Sequence, residues 1–205
     1  MIGEPSCLKA RAPNMLGPWH GASRRKHRKL IQSHMIAKLF RRLTADRGAE
    51  TALFASATAT ARRRDWYVEG SVPDTIDGRF AVLSAVVALC CLRLEQLGGE
   101  GEALSVALTE RFAEVMKSEH RELGIGDPPL GKTVLKLVGA LAARVDALRP
   151  AATGTGPWDA AARAAFPAIT DEQAVAWLAN RLEALETRLR SADVGELARG
   201  QMDEQ

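Results

Sequence analysis

The longest stretch of the chain without a charged side chain runs from residue 80 to residue 92, and it is apolar except for Ser84. Phe80, Leu83, Val87 and Leu94 recur at helical spacing, and other apolar residues fill the remaining faces. A helix that is apolar all round is normally enclosed by other elements. The run is shorter than the ~18–20 residues that a membrane span requires. The pattern therefore predicts the central helix of a soluble bundle, at about 76–97.

Shorter apolar stripes at the same period predict further helices on both sides of this one. The helix predicted after residue 171 carries leucines at heptad spacing, and a capping box at Thr170–Gln173 is expected to start it. The predicted flanking helices cover about 49–69, 102–123, 129–148, a short segment around Trp158 and Phe166, and the region after residue 171. We find no strand pattern. The predicted fold is all-α, a single irregular helical bundle around the central apolar helix, with a basic N-terminal arm.

Charge is distributed unevenly along the chain. Residues 1–64 contain 14 basic and 3 acidic side chains, whereas residues 65–205 contain 14 basic and 22 acidic ones. A basic arm on an acidic body indicates that the arm faces a negatively charged partner.

We predict four parts: 1–34, a disordered, targeting or mis-started segment; 35–64, the basic amphipathic arm; 65–190, the helical domain; and 191–205, a flexible tail.

Residues 24–43 can form an amphipathic helix, with apolar residues at helical spacing and cations over much of the rest. Lys29, Lys38, Arg41 and Arg42 are the candidate contacts. Such a helix can lie on an anionic membrane surface, or it can touch the phosphates of ribosomal or other RNA. A solvated basic tail without a specific partner is the simpler interpretation, and all three remain open at this point.

The polar segment before the apolar run, residues 73–80, combines a helix cap with a charge. Asp74 or Thr75 is the expected N-cap, and an acid at position 77 would lie in the first helical turn. Gly78 is expected to let another backbone segment come close. We expect Arg79 to reach a carboxylate, Asp127 or Glu122. A structural cap with an ion pair is a better interpretation of this segment than a catalytic Asp/Arg pair.

Residues 126–133 match the phosphate-loop pattern, with Gly126 followed after four residues by Gly131-Lys132-Thr133. That loop must follow a buried strand, but the preceding residues predict a charged helix. Its backbone N–H groups hold the phosphates, and Pro128 and Pro129 have no N–H to donate. A nucleotide enzyme using Lys132 and Thr133 is therefore a minor alternative.

The cysteines and histidines indicate no cofactor. Cys90 and Cys91 lie inside the apolar run and are expected to be small core residues. No Cys or His pair has metal-ligand spacing, so no metal is expected. No His lies in an apolar helix, so the sequence gives no indication of a haem pocket. With three cysteines and no disulfide framework, we expect a reducing compartment.

Three segments in order, PDTIDGRF (73–80), RLEQLG (93–98) and HRELGIGD (120–127), resemble the ubiquinol–cytochrome c chaperone family. The resemblance covers about 65–150 and extends more weakly over 157–190. It implies an all-helical, non-enzymatic protein without cofactors that assists the assembly of respiratory complex III. The positions that carry the family pattern form the candidate binding surface: Pro73, Asp74, Gly78, Arg79, Phe80, Arg121, Glu122, Gly124, Gly126 and Asp127. Pro128-Pro129 departs from that pattern.

The same resemblance implies the partners. We expect the chain to bind newly made cytochrome b, or another subunit of complex III, in an apolar groove between helices. The ribosome and a membrane surface are further expected contacts. The expected location is the bacterial cytoplasm or the cytoplasmic face of the inner membrane, with the mitochondrial matrix as the alternative. A nucleic-acid-binding or ribosome-binding helical protein is the second function to be tested.

Overall fold

The computed structural model describes residues 48–122 and 127–202, with side chains for all of these except 120–122 and 127–130. Eight helices follow one another in these ranges, which contain no strand. They are α1 (Ala49–Ala61), α2 (Asp65–Val68), α3 (Ile76–Leu97), α4 (Glu100–Glu122), α5 (Asp127–Ala152), α6 (Trp158–Ala165), α7 (Glu172–Ser191) and α8 (Val194–Ala198). The predicted all-α class and the central helix are confirmed.

Local sequence signals fix both ends of α3. The hydroxyl of Thr75 accepts a hydrogen bond from the Gly78 N–H at 3.2 Å, which identifies Thr75 as the N-cap. Asp77 occupies the first turn, where its carboxylate interacts favourably with the helix dipole. The helix stops at Gly98, whose φ of 64° is strained for residues with a side chain. These signals give α3 a defined length and register.

The middle of α3 is buried on almost every side, because α1, α4, α5 and α7 all pack against it. Every residue from Ser84 to Leu92 is buried. By length and composition α3 is also a helix that could cross a membrane, but most of its surface is enclosed by neighbouring helices. It is therefore the core of the bundle, as the sequence predicts.

The helices after α3 bury the predicted stripes to different extents. On α4, Leu104, Leu108, Phe112 and Met116 are buried, with Val115 half-buried beside them. On α7, the stripe from Val175 to Leu189 is buried, so it completes the bundle. On α5, however, burial is confined to the second half of the helix. No residue between Gly131 and Ala140 is fully buried.

Aromatic packing joins α2 to the C-terminal helices. The Trp66 ring is fully buried and lies 6.4 Å from Phe166 and 5.8 Å from Trp177, between ring centroids. Its indole N–H donates to the carbonyl of Thr60 at 3.0 Å. The Arg181 guanidinium lies 5.6 Å from the Trp66 ring centre. Trp66 therefore belongs to the core of the bundle.

Two segments pack more closely than the sequence indicated. Helix α1, which lies wholly within the segment that we assigned to the basic arm, buries Leu53, Phe54 and Ala57 against α3 and α4. In the tail that we predicted to be flexible, α8 carries a capping box between Asp193 and Glu196 and buries Leu197 completely. Apolar residues occur on all faces of α1, and α8 has only five residues, so neither gives a clear period. The proposed domain boundaries stay a prediction.

The start of α7 also differs in detail from the prediction. Its N-cap is Asp171, whose carboxylate accepts the Ala174 N–H at 2.8 Å. The N3 residue is therefore an alanine, which cannot return a side-chain bond to the cap, so the predicted capping box is wrong. Glu172 instead forms an exposed ion pair with Arg163 of α6.

Candidate functional site

A groove of about 860 Å³ opens at one end of the bundle, where α1 and α4 end and α3 begins. The hairpin between α3 and α4 is short, so the start of one helix and the end of the other lie at the same end. Leu137 of α5 also lines it. We call this space the end groove. Its lining consists of Thr58, Ala61, Arg62, Arg64, Tyr67, Val68, Asp74, Ile76, Asp77, Arg79, Phe80, Leu83, Met116, Glu119 and Leu137.

Apolar side chains form much of the end groove. Phe80 and Leu83 come from α3, Met116 from α4 and Leu137 from α5. The Phe80 ring packs on the buried Phe112 ring, with centroids 5.9 Å apart. Because Phe80 and Leu83 are only half-buried, the apolar core of the bundle reaches solvent at this point.

Two large apolar side chains at the groove are exposed. Val68 is 53% exposed and Ile76 is 65% exposed, and together with Leu135 they are the large exposed apolar residues of the described chain. An isolated exposed apolar residue is ordinary, but two beside a half-open apolar groove indicate a binding surface. They extend the apolar character of the groove outwards to its mouth.

The charged side chains of the groove are balanced. Three arginines (Arg62, Arg64 and Arg79) and three carboxylates (Asp74, Asp77 and Glu119) line it. These side chains are exposed, so they meet water or an approaching partner rather than the core. The end groove thus combines an apolar interior with a rim of both charge signs, the composition of a protein-binding surface.

Arg79 and Asp74 form an ion pair on this rim. The Arg79 Nε donates to Asp74 Oδ1 at 2.6 Å and its second nitrogen donates to Oδ2 at 3.2 Å. The hydrogen bond with Arg79 holds the pKa of Asp74 below its usual value, and the same bond raises the pKa of Arg79. Both side chains are mostly exposed, so water screens the pair and it adds little to stability.

The partner of Arg79 differs from our prediction. We expected Asp127 or Glu122, which would have joined two loops. The observed partner, Asp74, lies only five residues before Arg79 and belongs to the same segment. Although Arg79 lies next to the apolar run in the sequence, its side chain is mostly exposed. The ion pair therefore shapes the start of α3 and does not link the loops.

Gly78 allows the close backbone approach that the sequence predicts. A Cβ atom at this position would lie 1.9 Å from the carbonyl oxygen of Pro73. The segment 73–78 consequently folds back tightly on the first turn of α3, and Thr75 N–H donates to the same Pro73 oxygen at 2.8 Å. This turn fixes the position of Asp74 and Ile76 at the groove mouth.

Two further polar groups adjoin the apolar part of the groove. The Tyr67 hydroxyl donates to the Ala61 carbonyl at 2.8 Å, and partial burial raises the pKa of Tyr67. The Arg144 guanidinium lies 5.5 Å from the centre of the Phe80 ring. Burial lowers the pKa of Arg144, and the ring face supplies a cation–π contact. Arg144 thereby supports the Phe80 ring from the side of α5.

The described residues contain neither a metal-ligand cluster nor a phosphate loop. Where the structure describes side chains, no group of three or more His, Cys, Asp or Glu residues could hold a metal. Lys132 and Thr133 lie inside α5, which is helical from Asp127 onwards. A phosphate loop needs irregular backbone after a strand, so the nucleotide-enzyme alternative based on this pattern is wrong. Cys90 and Cys91 are buried, and burial raises the pKa of both thiols, so they are inert core residues.

The structure assembles part of the predicted binding surface. Asp74, Arg79 and Phe80 line the end groove, while Pro73 and Gly78 shape its edge. Arg121 and Glu122 are in the last turn of α4 and Asp127 begins α5, and their side chains lie outside the described residues, as do Gly124 and Gly126. The arm residues Lys29, Lys38, Arg41 and Arg42 also lie outside them. A binding role for these positions stays a prediction.

Sequence reasoning missed much of the groove lining. Tyr67, Val68, Ile76, Met116 and Leu137 all contribute to it. Met116 follows a core stripe and gave no separate signal. Val68 and Ile76 could have been found, because each is a large apolar residue at a helix end, outside any periodic stripe.

Comparison with known proteins is consistent with this architecture. A family model described as "Ubiquinol-cytochrome C chaperone" matches residues 69–203. The crystal structure of the Cbp3 homolog from Brucella abortus is similar to this chain, with 28% sequence identity and a TM-score of 0.66. That match covers 80% of this chain and 93% of the other. The search of curated proteins found no match.

Proposed function

The chain belongs to the ubiquinol-cytochrome c chaperone family, and we propose on this basis that it binds newly made cytochrome b in the end groove during the assembly of complex III. The family is one of complex III chaperones, which suggests a role without catalysis. What we propose beyond family membership is the identity of the client and the place where it binds. The single observation that carries it is an apolar groove whose mouth exposes Val68 and Ile76.

The groove fits one helix of an apolar client. A client helix laid against Phe80, Leu83 and Met116 would cover the place where the core reaches solvent. Covering Val68 and Ile76 as well would contribute about 0.8–2 kcal/mol for each, because they are 53% and 65% exposed and full burial of such a side chain contributes about 1.5–3 kcal/mol. Only part of this gain would appear as affinity, because ordering the client costs free energy. A moderate, reversible interaction suits a chaperone that must release its client.

The charged rim supports a protein client over a small apolar ligand. The lining residues Arg62, Arg64, Asp77 and Glu119 can pair with charges that flank an apolar client segment. Such rim charges contribute mainly to partner selection and to the rate of encounter. Cytochrome b is the client that the family resemblance implies, and its apolar helices need cover before membrane assembly.

The experiment is site-specific photocrosslinking in cells that assemble complex III. A photoreactive p-benzoylphenylalanine replaces Ile76 at the groove mouth. In a matched control it replaces Thr187, which is exposed on α7. We expect cytochrome b to be crosslinked from position 76 and not from position 187, as identified by mass spectrometry.

A second experiment tests whether the apolar character of the groove matters for client binding. Val68→Asp and Ile76→Asp, each tolerable at an exposed position, should reduce recovery of cytochrome b with the tagged chain. Their folding is checked by thermal denaturation. Equal crosslinking from both positions, or undiminished recovery in both aspartate variants, would place the client elsewhere and reject the end groove.

Location and other partners are part of the same proposal. We place the chaperone in the bacterial cytoplasm or at the cytoplasmic face of the inner membrane, and the mitochondrial matrix is the alternative. Ribosome contact is a separate prediction for the basic arm, tested by co-sedimentation with ribosomes over a salt series. Fractionation of intact cells tests the location.

A further inference from the structure

The outer face of α5 is an exposed surface that the end groove does not use. Leu135 is 74% exposed, and Gly131, Gly139 and Ala142 lie on the same side of the helix at steps of three or four residues. Lys132 and Lys136 are exposed next to this strip. We call these six residues the α5 outer face.

This face points away from the end groove. Leu135 and Leu137 lie about 160° apart around the helix axis, since successive residues turn by ~100°. Leu137 lines the groove and packs against the core, so Leu135 must point to the opposite side. A ligand on the α5 outer face and a client in the groove would therefore occupy different sides of one helix.

The charge of this face is opposite to that of the surrounding body. No acidic residue occurs between Asp127 and Asp146, whereas residues 65–205 contain 22 acidic and 14 basic side chains. Within the described residues neither Lys132 nor Lys136 has an ion-pair partner. Their charges are therefore available to an anionic ligand.

The shape of the face lets Leu135 reach a surface. A Cβ atom added at Gly131 or at Gly139 would have no heavy atom within 4 Å, so both sites are open. Leu135 lies between these two glycines and is 74% exposed. Interfacial helices bind an anionic bilayer with apolar side chains at the interface and lysines at the headgroups, and the α5 outer face has Leu135 and two lysines for these two roles.

We propose that the α5 outer face contacts an anionic lipid surface, with Leu135 in the interfacial region and Lys132 and Lys136 against the headgroups. Charge complementarity selects this occupant, because the face is basic on an acidic body. A nucleic acid would use the lysines but would gain nothing from burying Leu135. Arginine and aromatic side chains, which stack on bases, are absent from the face.

The expected strength is that of a weak, additive contact. One lysine close to an anionic membrane strengthens binding about fivefold. Burial of Leu135 contributes on the order of tenfold or more. The α5 outer face would therefore orient a protein at the membrane rather than anchor it there.

The test is co-sedimentation of the full chain with vesicles. One set is phosphatidylcholine alone, and the other contains phosphatidylglycerol at about 30% of the lipid, which gives a negative surface. Because the basic arm can bind as well, each variant is made both in the unaltered chain and with Lys29, Lys38, Arg41 and Arg42 changed to Ala. We expect binding to the anionic vesicles in both backgrounds.

Two variants probe the two components of the contact. Leu135→Gln should weaken partitioning to anionic vesicles about tenfold. Lys132→Glu with Lys136→Glu should weaken it at least 25-fold, from about fivefold for each lysine. The control is Lys117→Glu, an exposed lysine on α4, which should leave partitioning unchanged. Circular dichroism melts verify folding.

Each alternative result overturns the proposal. Unchanged partitioning in both variants would show that the face does not touch lipid. If only the lysine variant weakens binding, and the chain binds RNA with the same lysine dependence, the face is a nucleic-acid contact. The proposal stands apart from client binding, because Leu135→Gln should preserve crosslinking from position 76 while Ile76→Asp should preserve vesicle binding.

Discussion

Gly78→Ala tests the packing at the start of α3 most directly. In the interior of a helix, alanine in place of glycine usually stabilises a protein by about 0.5–1 kcal/mol. At Gly78 the new methyl group would lie 1.9 Å from the Pro73 carbonyl oxygen, and atoms of this kind need about 3.0 Å. The Pro73 carbonyl belongs to the backbone and cannot swing aside. The turn must therefore move by about 1.1 Å, the difference between these distances.

That movement disrupts two hydrogen bonds. Thr75 N–H donates to the Pro73 oxygen at 2.8 Å, and the Thr75 hydroxyl caps α3 through the Gly78 N–H at 3.2 Å. Losing the cap costs about 1 kcal/mol, and the backbone hydrogen bond contributes a further ~1 kcal/mol. Replacing a glycine within a helix offsets about 0.5–1 kcal/mol of these losses, so we expect Gly78→Ala to lower the free energy of unfolding by about 1–1.5 kcal/mol. The melting temperature should fall by about 2–6 °C.

The assay is urea denaturation followed by circular dichroism, with Gly139→Ala as the matched control. Gly139 lies in α5, and a Cβ there meets no heavy atom within 4 Å. The same substitution should therefore stabilise the protein by about 0.5–1 kcal/mol at position 139. If Gly78→Ala is as stable as the parent at an unchanged m-value, the tight turn between Pro73 and α3 is not the structure in solution.

Three other substitutions or probes test different parts of the bundle. Thr75→Ala should cost about 1 kcal/mol of stability, since it removes the cap alone, and denaturant unfolding would measure this; no loss would mean that Thr75 is not the cap. Leu89→Ala removes a fully buried side chain from α3 and should cost about 2–5 kcal/mol in the same assay; a loss below 1 kcal/mol would contradict its enclosure. In a Cys7→Ser background, Cys90 and Cys91 should react with a thiol reagent only as fast as the protein unfolds, because burial raises the pKa of both thiols. Rapid labelling of the folded protein would contradict that burial.

The central helix could be predicted from the sequence because its signals are local. A cap at Thr75, thirteen uncharged residues and a glycine at position 98 define α3 without reference to the rest of the chain. The turn at Gly78 was predictable for the same reason. The family resemblance used segments from the same region, and it led to the class of function.

The groove could not be predicted, because it depends on how the helices meet. Leu137 and Met116 both lie on apolar stripes, and no local pattern shows that they border solvent and not another helix. For Arg79, the local sequence suggested more burial than the structure shows. Its position beside an apolar run suggested a costly buried charge, but the start of α3 projects beyond the core. Its partner was therefore the nearest carboxylate, Asp74.

The position of α8 has a consequence for biosynthesis. This helix packs on α1 and α4, Gly200 lies against the Ala52 carbonyl, and the Met202 sulfur is 3.7 Å from that of Cys90. Contacts among α1, α3 and α4 can begin to form during translation, but this side of them remains uncovered until residues 194–202 leave the ribosome. A nascent chain stalled before that point would display an apolar surface and would itself be prone to aggregation or to capture by a general chaperone.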